Sequence, residues 1–163
     1  MAVTDDIALI KHQEQALILP HFDEDVAFAL GSAVRARAIA EGLSLVVDIR
    51  TWDRQLFFSA TAGTTDDNAE WVRRKINTVR RFHRASYRMV LERGEEPFSV
   101  QSGADPADYV IAGGGFPIRV KGAGIIGALT ISGLPGRADH GVAVSALATH
   151  LGFEPNDFAL GAE

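Results

Sequence analysis

A chain of 163 residues, 47 % hydrophobic and 23 % charged, has the length and balance of one soluble domain with a single core. The absence of cysteine excludes a disulfide framework, a thiolate nucleophile and cysteine-ligated metal. A net charge of −5 argues against nucleic acid as the main partner, because phosphate binding needs a dominant basic surface.

No apolar run nears the roughly 20 residues that span a bilayer. The first fourteen residues lack the cationic start of a secretory signal, so a cytoplasmic protein without a membrane partner is expected. The stretch from Thr4 to Gln15 reads as a helix, with Thr4, Asp5 or Asp6 to cap it. The apolar run Ala16 to Leu19 is a short strand stopped by Pro20. Asp23 opens a second helix, with Val26, Leu30, Ala33 and Val34 on one face and Gly42 at its end.

Leu43 to Trp52 and Gln55 to Ala60 form a β-hairpin. Thr64, Thr65 and Asp66 offer caps for a long helix that runs to Arg93, where Gly94 and Pro97 end it. Phe116 to Lys121 and Gly124 to Ser132 make a second hairpin, turned at Gly122-Ala123. Asp139 starts the last helix and Gly152 ends it. Two hairpins around a central helix favour an α+β fold, an antiparallel sheet flanked by helices. Residues 1–163 then form one domain, with 1–16 as a helical extension.

The long helix is the unusual element, since Trp71 to Arg93 holds eight of the sixteen Lys and Arg residues. Helical spacing puts Trp71, Lys75, Thr78, Phe82 and Met89 on one face. Arg73, Asn77, Arg80 and Arg84 form another stripe, flanked by Arg74, Arg81 and Arg88. For any single arginine the simpler reading is a solvated side chain, or one paired with Glu70 or Asp67. Lys75, set beside the aromatics, needs a partner. A ligand carboxylate, a protein carboxylate and a subunit contact all meet that need.

Gly113-Gly114-Gly115 is neither a Walker loop nor a dinucleotide fingerprint. It permits close approach of a ligand or another chain, or simply a turn into the following strand. His140 falls in the first turn of the last helix, where the dipole favours neutral imidazole. An exposed histidine beside the Asp139 cap is its simpler reading. The remaining histidines are isolated, and no pair has the spacing of a zinc site on one helix.

Three motifs stand in order: Trp71…Arg74-Lys75…Asn77-Thr78-Val79…Arg81-Phe82-His83-Arg84, then Gly113-Gly114-x-Phe116-Pro117-Ile118, then Ile131-Ser132-Gly133-Leu134-Pro135…Asp139-His140. Together they resemble the bacterial and fungal UPF0303 proteins, within the group related to the haem-binding protein HbpS and labelled haem-degrading domain. The resemblance runs from about Leu17 to Leu151. It implies a profilin-like domain with one long central helix, assembled as a homodimer or higher homo-oligomer. It also implies haem or a corrinoid-related molecule as ligand, and makes Arg74, Lys75, Thr78, Arg81, Ser86, Gly113, Gly114, Gly115 and Phe116 the candidate binding residues.

Three positions depart from the pattern. Ala85 stands where a serine is usual, Ala112 where a histidine often precedes the glycines, and Gly141 where an acidic residue commonly follows Asp-His. These departures weaken an enzymatic reading more than a binding one. The ranked expectations are therefore a small-ligand-binding oligomer with a haem-class cofactor or ligand, an assembly or adaptor protein, and an enzyme. The first has carboxylates clamped by Arg74, Lys75 or Arg81. The third acts on a small anionic metabolite, with His140 as acid/base, Asp139 as its orienter and Lys75 as clamp.

Overall fold

Both expected hairpins form, and they join through β2 and β5 into one five-stranded sheet. The structure, a computed structural model, describes residues 2–94 and 96–162. The strands are β1 Ile18–Leu19, β2 Val46–Thr51, β3 Arg54–Ala60, β4 Gly115–Val120 and β5 Gly124–Ser132, in the order β1-β4-β5-β2-β3. The helices are α1 Val3–Ala16, α2 Glu24–Glu41, α3 Asp66–Phe82, α4 Ser86–Arg93 and α5 Gly136–His150. The fold is α+β, as expected. The sheet is mixed rather than wholly antiparallel, because β1 runs parallel to β4 at one edge. Pro20 stops that strand after two residues, and Lys121 N–H donates to Leu19 O at 2.9 Å to close the short patch.

Local chemistry explains most boundaries. Asp23 Oδ1 accepts from Val26 N–H at 2.8 Å to open α2, and Gly42 ends it in the left-handed region at φ 67°. Thr65 N–H donates to Asn68 Oδ1 at 2.9 Å at the start of α3. Two expectations are corrected. The helix predicted to reach Arg93 is broken after Phe82, because His83 adopts φ 54°, ψ 40°. The N–H of Ala85 is claimed by Glu14 Oε2 of α1 at 2.7 Å, and α4 starts anew at Ser86. The last helix begins at Gly136, three residues before Asp139. Asp139 is therefore not the N-cap; its carboxylate reaches back to the turn before the helix.

Side-chain alternation divides the core between the two faces of the sheet. Val47, Ile49, Phe116, Ile118, Leu129 and Ile131 bury against α2 and α5. Val46 and Ala128 meet Val72, Ile76 and Val79 of α3 on the other face. Each such aliphatic side chain contributes about 1.5–3 kcal/mol on burial. At Gly31 the ring of Phe57 fills the space a Cβ would take, 2.2 Å from Phe57 Cδ1, and so seats α2 on β3.

The α1 helix packs on α4 and ties both chain ends into the domain. Gln13 Nε2 donates to Phe158 O at 2.6 Å, and Arg137 bridges Asp6 at 2.9 Å and the carbonyl of Gly161. No helix is long and apolar enough to cross a membrane among the described residues.

Candidate functional site

The period of α3 turns Lys75 toward the sheet, where its ammonium is almost sealed from solvent. Nζ donates to Ile131 O at 2.9 Å and to Asp139 Oδ2 at 3.2 Å, and the two side chains retain 4 % and 2 % exposure. Asp139 also accepts from Leu134 N–H at 2.9 Å and Gly133 N–H at 3.3 Å. The partner of Lys75 is thus a protein carboxylate. Burial pushes the Lys75 pKa down and that of Asp139 up, while each charge opposes the shift of the other.

The triple glycine is the place where this pair meets the sheet. Gly114 has φ 131°, and a Cβ there would stand 2.2 Å from Ile131 O and 2.8 Å from Lys75 Nζ. A Cβ at Gly113 would lie 2.3 Å from Gly136 O, and one at Gly115 would lie 2.9 Å from Val79 Cγ2. Ser86 Oγ accepts from Gly115 N–H at 2.9 Å. The close approach that the glycines permit is made by the chain's own α3, α4 and α5.

His140 points away from Asp139 and is fully buried, not exposed in a first turn as the simpler reading had it. It packs against Tyr87 and Phe116 with ring centroids 5.5 and 5.9 Å away. Its Nε2 lies 2.8 Å from Gln13 Oε1. Because the Gln13 amide nitrogen donates to Phe158 O, the network assigns the imidazole proton to Nε2. Nδ1 has no partner among the described residues. Burial, helped by the charge of Arg137, pushes the His140 pKa down to about 3. Asp139 does not orient His140, since its oxygens are engaged by Lys75, Gly133 and Leu134. The arrangement required by the enzymatic expectation is therefore absent.

The remaining candidates face elsewhere. Thr78 Oγ1 donates to Val110 O at 2.8 Å and Asn77 Nδ2 to Asp108 O at 2.8 Å. Arg73 donates to Ala107 O at 2.8 Å, and Arg81 to Ser102 O at 2.9 Å and to Gly103 O. The basic face of α3 thus holds the segment 99–110 by its carbonyls. Arg74 lies 4.4 Å over the Trp71 ring. Lys75, Ser86, Gly113, Gly114, Gly115, Phe116, Asp139 and His140 come together; Arg74, Thr78 and Arg81 do not join them.

Beside this seam lies a cleft of about 980 Å³, walled by α4, α5 and residues 155–162. Tyr87, Ile111, Gly113, Leu134, His140, Phe158 and Leu160 line it, with Arg37 among the polar residues. Ala112 and Gly141, two of the three departures from the family pattern, also line it, and a Cβ at Gly141 would meet nothing within 4 Å. Sequence reasoning missed Gln13, Glu14, Asp6 and Arg137. The one usable signal was the 6, 10, 13, 14 spacing, which puts three polar groups beside Ile10 on the inner face of α1.

The profile of the family described as haem degrading protein HbpS-like matches residues 22–148. The UPF0303 protein mlr5144 of Mesorhizobium japonicum is 58 % identical over all of this chain and 99 % of its own length. The chain belongs to the HbpS-like family, among its UPF0303 members. The crystal structure of the Ybr137w protein is similar to this UPF0303 protein with a TM-score of 0.84 and 27 % identity, over 90 % of this chain and 87 % of that one. The PduOC:haem complex shares the fold, with a TM-score of 0.62 and 22 % identity over 80 % and 94 % of the two chains.

Two outcomes follow from the buried groups. Replacing Lys75 by Met strands the Asp139 carboxylate, and urea unfolding should show a loss of about 3–5 kcal/mol. Lys75→Met combined with Asp139→Asn, which removes the stranded charge and keeps an acceptor for Leu134, should recover much of it. A double variant no more stable than the single one would discount the ion pair.

The second outcome concerns pH. The unfolded chain protonates His140 below about pH 6.5, whereas the folded chain keeps it neutral down to about 3. The unfolded state binds the extra proton in that window. The stability due to neutral His140 is therefore complete above pH 6.5 and falls with pH, by about 2 kcal/mol at pH 5. His140→Gln should abolish that difference between pH 7 and pH 5 in urea unfolding. An unchanged difference would exclude His140 as its source.

Proposed function

We propose that this UPF0303 protein is an oligomeric small-ligand-binding protein whose ligand is a tetrapyrrole of the haem class. The cleft of about 980 Å³ carries this reading. Its volume lies at the upper end of the usual range for ligand sites, and its walls are largely apolar. The family description and the haem in the PduOC complex support the ligand class. Ala112 and Gly141 keep the wall small and uncharged where the family pattern has larger polar groups. Arg37, whose surface partner is Glu41 at 2.7 Å, is available at the rim to clamp a carboxylate. We take the whole chain as the binding unit, since Gln13 of α1 and the C-terminal segment both line the cleft.

The residues present fit the macrocycle and its carboxylates but not an imidazole–iron bond. His140 is the histidine that lines the cleft among the described residues, and it is sealed with Nε2 held by Gln13. Binding by apolar contact and charge then predicts that haemin and iron-free protoporphyrin bind within roughly threefold of each other. Arg37→Ala should weaken both about tenfold. Titrations followed by Soret absorbance and tryptophan quenching test this. Absence of saturation by either compound at micromolar concentrations removes the tetrapyrrole class.

Self-association is favoured as a second property by one observation. Phe28 and Ile39 of α2 are 65 % and 58 % exposed, and Ala29 and Ala33 of the same helix help line a groove of about 250 Å³ shared with α5. Light scattering should find an oligomer that Phe28→Glu reduces to smaller species. A monomeric wild-type protein, or an oligomer unaffected by Phe28→Glu, contradicts the use of this face.

A further inference from the structure

A separate cavity of about 150 Å³ lies between the edge hairpin β2–β3 and α3, and it shares no lining residue with the tetrapyrrole cleft. Trp52 and Phe58 contribute aromatic surface, and Asp48, Arg50, Arg73 and Arg80 contribute charge. The cross-strand pairs explain why these groups converge: Asp48 lies opposite Phe58, and Arg50 opposite Gln55, on the sheet face toward α3.

Asp48 is fully buried and organises one cation. Its Oδ1 accepts from Arg50 Nε at 2.8 Å, and its Oδ2 from Arg50 Nη2 at 2.7 Å and Gln55 Nε2 at 2.7 Å. This two-pronged contact leaves the Nη1 group of Arg50 without a protein acceptor among the described residues. It fixes the guanidinium plane, because both other nitrogens are committed.

The charges can be counted. Asp48 offsets Arg50. Glu70 at 3.2 Å and Asp108 at 3.0 Å engage Arg73. The Arg80 side chain makes no hydrogen bond among the described residues. Its acidic neighbour is Asp53, 3.7 Å away and 91 % exposed, and its guanidinium lies 5.8 Å from the Trp52 ring centroid. With Asp53 included, the acids around the cavity outnumber its arginines, which disfavours a dianion, and Arg80 has the longest and wettest partner, one that a single carboxylate can displace. A cavity of about 150 Å³ accommodates one six-membered ring.

We propose that this cavity binds a small aromatic monocarboxylate. The carboxylate meets Arg80 and the open nitrogen of Arg50, and the ring rests against Trp52 and Phe58. The chain has two tryptophans, Trp52 and Trp71, so a Trp71→Phe background leaves the indole N–H of Trp52 as the only such signal in a nitrogen-15 spectrum.

Sodium benzoate should shift that signal saturably, with half-saturation below about 1 mM. Arg80→Gln, at a side chain that is 53 % exposed, should raise the half-saturation at least about tenfold while the other amide signals stay in place. Acetate, which lacks the ring, and inorganic phosphate, which lacks the ring and carries more charge, should each bind at least about tenfold more weakly. Three results overturn the proposal. They are no shift up to about 20 mM benzoate, an Arg80→Gln titration equal to that of the parent, and acetate or phosphate binding as tightly as benzoate.

Discussion

The contact on which the architecture turns is the buried pair of Lys75 and Asp139. Lys75 belongs to α3 on one face of the sheet, and Asp139 to α5, which packs on the other. Their meeting point is the end of β5, where Ile131 O and the N–H groups of Gly133 and Leu134 complete the set of hydrogen bonds. An ammonium and a carboxylate taken out of water need partners for their remaining donors and acceptors. Here backbone groups of the β5–α5 turn supply them. The pair thus fixes the turn, the start of α5 and the register of α3 together. Gly114 follows from it, because the ammonium and the Ile131 carbonyl occupy the volume that any side chain would need.

The polar face of α3 repeats this logic at a wetter surface. Arg73, Asn77, Thr78 and Arg81 each donate to main-chain oxygens between Ser102 and Val110. A segment with little regular structure leaves carbonyls to be satisfied, and a helix with donors at successive turns meets them. Two of the cations in this cluster, Arg73 and Arg81, thus serve to hold a long connection. Arg80 lies outside that set, on the side of α3 facing the β2–β3 hairpin.

Local signals made most elements legible. Asp23, Gly42, Gly122 and the alternation in both hairpins act within a few residues, so their consequences can be read from neighbours in the chain. The break at His83 could not be read so, because the competing hydrogen bond to Ala85 comes from Glu14, 71 positions away. Asp139 was misread as a cap for a related reason. An acid near a helix start suits several acceptor geometries, and only the tertiary position of Lys75 decides which one forms. Of the site residues, Lys75 was recognisable as a buried cation from helical period, but its partner was not. Gln13 and Arg137 act across 127 and 131 positions: the spacing of α1 could mark Gln13 as inward-facing but could not name its partner, and Arg137 had no such signal.

The motifs and the proposed cleft therefore carry different information. Lys75, Asp139, Gly114 and Ser86 lie inside the packing of three helices on a sheet, where substitution changes the fold before it changes any ligand. The cleft touches the motifs through Gly113, the turn from Leu134 to Gly136, and one side of His140. Most of its remaining wall comes from residues outside the motifs, such as Arg37, Ile111, Phe158 and Leu160. The changes at Ala112 and Gly141 fall on the cleft wall, whereas Ala85 is buried in the core beside Glu14. Departures from one family pattern thus have two separate physical meanings, and position in the fold separates them.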